Sequence, residues 1–144
     1  MDVAARLLKL RLILAETRAP ADLENAFRLA AKQKPQALLV MQSPTLDAGK
    51  DQILALGAEY RLPVIAVFAS FTADGALLSY GPNAHDLVAR SAVYVDKVLQ
   101  GTKPGDLPIQ RPTKFDLVVN SRTAKALGLT IRPSVMLRAD EVIQ

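Results

Sequence analysis

The chain has 144 residues, 50% of them hydrophobic and 22% charged, which suits one folded domain with a real core and excludes an intrinsically disordered chain. Its 18 Lys and Arg outnumber 14 Asp and Glu for a net charge of +4, but the basic residues are scattered and form no stripe, so no nucleic-acid partner is expected. The absence of cysteine removes disulfides, thiolate metal sites and a cysteine nucleophile, and no apolar run approaches the roughly 18 to 20 residues of a membrane span.

In chain order, Val3, Leu7 and Leu8 stand at helical spacing and predict a short first helix. The apolar run Leu10 to Ala15 has the length of a strand. Pro20, Asp22 and Glu24 suit a helix start, and Leu23, Ala26, Phe27 and Ala30 form one apolar stripe that should stop near Lys34, before Pro35. "ALLVM" (37–41) and "LPVIAVF" (62–68) are continuous apolar runs, as in strands buried on both faces. Between them lie the turn "QSPTLDAGK" and a helix with Ile53, Leu56, Gly57 and Tyr60 on one face. Alternation of this kind predicts a parallel sheet covered by helices. Next come an Asp74-Gly75 turn and the strand candidate "ALLSY". Asn83 is a good cap for a helix ending before Gly101 and Pro104, with Ala84, Val88, Ala92, Val95, Val98 and Leu99 on a broad apolar face. Residues 102–113 carry Pro104, Pro108 and Pro112 and read as an extended linker. "FDLVVN" (115–120) returns as a strand, "SRTAKALGL" is a short helix, and the tail from Pro133 has ambiguous period.

Reactive constellations are sparse. No P-loop, GxGxxG, GxSxG or HExxH pattern occurs. His85, the one histidine, cannot supply a multi-histidine metal site, and it falls in the first turn of a predicted helix, where exposure is expected. A hydrolytic triad would need His85 paired with Ser70 or Ser79, and nothing in their spacing brings them together. Asp47 and Asp51 stand four residues apart, the ordinary pattern of a solvated helix face. No catalytic residue, metal or cofactor is therefore expected. In open parallel sheets, ligands bind beyond the carboxyl ends of the strands. Those ends are Gln42-Ser43-Pro44, Ala69-Ser70-Phe71 and Ser79-Tyr80-Gly81, which makes Gln42, Ser43, Ser70, Phe71, Ser79 and Tyr80 the candidate ligand contacts.

The second half carries "GALLSYG", "YVDKVLQGTKPGDLP", "PTKFDLVVN" and "TAKALGLTI". This run resembles the C-terminal half of ABC-transporter substrate-binding proteins. "ALLV" and "LPVI" with their helices fit the middle of that family more loosely. The chain departs from the pattern at Ala76, where a second glycine is usual, and at Arg132, where a proline is usual. Gln42-Ser43-Pro44 fills a turn that often carries an aspartate able to hold an amino group.

The resemblance implies an α/β lobe of a type I periplasmic binding protein with a parallel, three-layer sheet. Residues 1–80 would form the βαβαβ core of the ligand-binding lobe. Residues 81–102 would be a crossover helix belonging to, or swapped into, a second lobe. Residues 103–144 would return and complete the first lobe, with Tyr80, Gly81 and Pro82 as a hinge crossing. It further implies non-enzymatic binding of a small molecule such as an amino acid or aromatic compound, with an ABC permease as partner. Family members are about twice this length and exported, so the chain reads as a truncated form. The location expected from the family is the periplasm. The first 16 residues lack the order of a signal peptide, so a complete product would be cytoplasmic. An unpartnered apolar face on the crossover helix would favour a homodimer. A sensor or interaction module acting through that dimer is the alternative function, and a small α/β enzyme ranks last.

Overall fold

The computed structural model describes residues 2–144, with side chains from Val3 onward. The chain divides into two compact units, Met1–Val64 and Ile65–Gln144, and each is described by itself.

In the first unit, helix α1 (Asp2–Leu7) closes with Lys9 in the left-handed region at φ 55°, where the Leu10 amide donates back to the Ala5 carbonyl. Residues 10–15, expected as a strand, join no ladder, and Leu10, Leu12 and Leu14 lie exposed. Apolar, strand-prone residues make a strand only where a sheet edge accepts them. A 3₁₀ turn (Pro20–Asp22) follows, its Asp22 carboxylate accepting from the Arg18 and Ala19 amides. Helix α2 (Leu23–Ala31) then buries Leu23, Ala26, Phe27 and Ala30, the stripe read from the sequence. Strand β1 is short (Leu38–Leu39). Helix α3 (Pro44–Ala48) leads into α4 (Lys50–Glu59), which buries Ile53, Leu56 and Gly57. Gly57 lets α4 lie flat: a Cβ there would come within 2.6 Å of the Val64 side chain. Tyr60 reaches the Phe27 ring, with centroids 6.1 Å apart.

Strand β2 (Val64–Ala66) falls at the division. In the second unit, helix α5 (Ala69–Ala73) follows it directly, and β3 (Leu78–Pro82) pairs parallel to β2 with Ile65 opposite Leu78. Helix α6 (Ala84–Leu99) comes next, then an extended strap with a 3₁₀ turn at Pro104–Asp106. Strand β4 (Phe115–Asn120) runs antiparallel to β3, from Leu78↔Val119 to Pro82↔Phe115. Helices α7 (Ser121–Leu127) and α8 (Pro133–Met136) precede β5 (Glu141–Ile143), parallel to β4. The strand order is β1-β2-β3-β4-β5. The architecture is mixed α/β with a mostly parallel sheet. The parallel expectation fails at β3/β4, where the chain leaves along β3 and, after α6 and the strap, returns along β4 in the opposite direction.

The core of this unit packs Phe71, Ala76, Leu77, Val118, Val119 and Ala124. Asn120 is its buried polar anchor. The side-chain oxygen caps α7 through the Thr123 amide, and the side-chain nitrogen donates to the Thr72 carbonyl, both at 3.0 Å. Both capacities of a buried amide are thus used, which is what its burial demands.

Candidate functional site

In the first unit, the turn after β1 presents Gln42 to solvent. Ser43 is half-buried and acts as the N-cap of α3, its hydroxyl accepting from the Leu46 amide at 3.5 Å.

In the second unit, α5 carries Ser70 on its exposed face and turns Phe71 inward, where that ring is 3% exposed. Ser79 is 1% exposed on the inner face of β3. Strand alternation puts Tyr80 on the opposite face, 57% exposed. The geometry therefore offers solvent Gln42, Ser70 and Tyr80, while Phe71 and Ser79 back the surface from inside.

A residue not singled out from the sequence joins Tyr80. Antiparallel register sets Phe115 diagonally across from it on the same face, and the two rings stack with centroids 5.7 Å apart and planes 25° from parallel. This aromatic step projects from the last rungs of the ladder. The signal for it lay in the β3/β4 register, which no residue pattern states. Behind it, Gly81 is forced: a Cβ would sit 2.2 Å from the Val67 carbonyl oxygen. Tyr80, Gly81 and Pro82, expected as a hinge, all pair within the β3/β4 ladder, opposite Leu117, Asp116 and Phe115.

Asn83 follows the ladder and caps α6 as expected, its side-chain oxygen accepting from the Asp86 amide at 2.8 Å. His85 is exposed on the first turn of α6. Among the described residues, no group of His, Asp or Glu side chains is placed to hold a metal ion. Helix α6 buries no residue, and Val88, Val93, Val95 and Leu99 are all exposed, Leu99 at 82%. Along one side of α6 runs the strap, and between them lies an open, mainly apolar groove of about 680 Å³ lined by Leu87, Tyr94, Val98, Pro104 and Leu107, among others.

A family model for ABC transporter substrate binding proteins matches residues 3–143. The chain belongs to this family. A conserved domain protein from Vibrio cholerae superposes with a TM-score of 0.92 at 26% identity, covering 98% of this chain and 47% of that one. A Streptococcus pneumonia ABC domain in complex with L-Trp superposes with a TM-score of 0.91 at 23% identity, covering 98% and 48%. A ligand-free, open substrate binding protein with adhesive properties from Clostridium difficile gives 0.67 at 20%, covering 99% and 48%. The chain thus spans about half the length of the solved structures it matches. No curated protein matches it. The family is one of substrate-binding proteins, and no helix among the described residues is long and apolar enough to cross a membrane.

Proposed function

We propose that the chain carries one ligand-binding lobe of a solute-binding component for an ABC importer, working in the periplasm and delivering a small molecule to a membrane permease without chemistry. The observation that carries this reading is the family match over nearly the whole chain. The exposed Tyr80–Phe115 step supplies a flat apolar surface of the kind that stacks on a planar ligand. Amino acids and small aromatic acids are the ligand class, with L-tryptophan first, since a relative of the same fold is in complex with it. Within the same unit Ser70 is the exposed polar contact, and the buried Phe71 and Ser79 support the surface from inside.

A ligand closed between two lobes loses far more surface to protein than one resting on a single lobe. This chain alone therefore binds weakly, with a dissociation constant on the order of 1 mM or about 4 kcal/mol. A thermal-shift screen of amino acids and small aromatic acids tests the reading. Stabilisation by L-tryptophan that is lost in Tyr80→Ala is expected; indifference to every compound counts against it.

The unpartnered face of α6 favours a second reading, an interaction module that works through a homodimer. A concentration-independent dimer in light scattering, with no response to any ligand, would select it over the first.

A further inference from the structure

We propose that Asn83 and Asp116 form a positioning pair that fixes the direction in which α6 and its strap leave the β3/β4 strands. The family resemblance implies a hinge at Tyr80–Pro82, and in the structure those residues pair within the β3/β4 ladder. Gly81 is also wedged against the Val67 carbonyl. Bending there would break several backbone bonds at once. One residue further on, the ladder ends: the Asn83 amide donates to the Lys114 carbonyl at 3.0 Å, and beyond it the two chains separate into helix and strap.

Past that point the helix and the strap hold each other. Tyr94 donates its phenolic hydroxyl to the Pro108 carbonyl at 2.6 Å. The Arg90 guanidinium bridges the Asp86 carboxylate at 2.8 Å and the Thr113 hydroxyl at 2.5 Å. At its far end α6 closes on Gly101, φ 96°, with the Thr102 amide returning to the Lys97 carbonyl. Helix and strap are therefore tied to each other.

Asn83 joins that piece to the sheet with both ends of its side chain. The oxygen caps α6, and the nitrogen donates to the Asp116 carboxylate on β4 at 2.6 Å. A hydrogen bond to a charged carboxylate is short and strong. It also sets an angle, because the same planar amide must satisfy the helix end and the strand together. Serine in place of Asn83 would cap the helix equally well and leave Asp116 without its donor. Asp116 is the neighbour of Phe115 in β4, so a change in the geometry of the pair would act next to the aromatic step. That consequence rests on the ligand-binding reading; the pair's effect on angle does not, and it is measurable without ligand.

Asp is as good an N-cap as Asn, so the pair can be inverted. Asn83→Asp alone keeps the cap and sets two carboxylates against each other. Asn83→Asp with Asp116→Asn restores one amide and one carboxylate with the donor on the opposite strand. The chain has no cysteine, so Ala89→Cys on α6 and Lys125→Cys on α7, both exposed, give a defined spin-label pair. Pulsed dipolar spectroscopy, with labelled chain diluted into unlabelled chain, reads their distance distribution. We expect one narrow distribution in the parent, a broadened or displaced one in Asn83→Asp, and recovery in the inverted pair. An unchanged distribution in Asn83→Asp overturns the proposal. So does failure of the inverted pair to recover it, since a merely local stability loss would not be repaired by exchanging the two groups.

Discussion

At Gly81 the backbone of β3 passes so close to Val67 that a single methyl has nowhere to go, because the obstructing atom is a carbonyl oxygen within the fold and not a mobile side-chain tip. Gly81→Ala is expected to destabilise the chain by about 2 to 3 kcal/mol, at the upper end of overpacking penalties. Urea unfolding of the variant checks this, and a midpoint equal to the parent's would refute the packing. Asn120 belongs to the same scale. Asn120→Ala removes a helix cap and takes one of two donors from the Thr72 carbonyl, which keeps the Gly75 amide at 3.3 Å, so a loss of roughly 1 to 2 kcal/mol is expected. Lys9 offers the opposite sign. It holds a left-handed conformation at φ 55° that glycine adopts without cost. Lys9→Gly should therefore gain up to about 1 kcal/mol, where Lys9→Ala gains nothing.

Among the elements, α2, α4, α6 and α7 were legible in the sequence because period and punctuation agreed. An apolar stripe at helical spacing marked the buried side of α2 and α4, and Asn83 began α6 and Gly101 ended it, whereas Asn120, the cap of α7, read only as the end of a strand. Short elements were less legible. Helix α5 is too brief to show a period, and its Phe71 reads equally well as a ligand contact or as core until the turn is built. Residues 10–15 carry strand-type composition without a partner edge. Of the candidate site, Tyr80 was legible as the end of a strand, but its companion Phe115 depends on register between segments more than 30 residues apart, which is settled by turn and sheet geometry and not by composition. Helix α6 supports a prediction of its own. Its apolar residues are not buried, so replacing Val88, Val95 and Leu99 together with serine should change unfolding free energy by only about 0.5 kcal/mol apart from serine's modest helix cost. If α6 mediates a homodimer, the same variant is monomeric in sedimentation. A large stability loss with no change in association would show that this face packs within the chain.

For the molecule as a whole, family membership fixes the kind of protein, and the chain spans about half the length of the solved structures it matches. The proposed ligand-contacting surface is the aromatic step and its neighbours, and the apolar groove beside α6 is a separate surface of the same unit. The two surfaces separate by experiment, because neither Tyr80 nor Phe115 lines the groove. The most direct test is a titration of the isotope-labelled chain with L-tryptophan, following backbone amide resonances. Saturable shifts concentrated at Ser70, Tyr80 and Phe115, and abolished by Tyr80→Ala in a chain that remains folded, are the predicted result. Resonances that stay fixed to the solubility limit of the ligand, or shifts confined to α6 and its strap, would contradict the account.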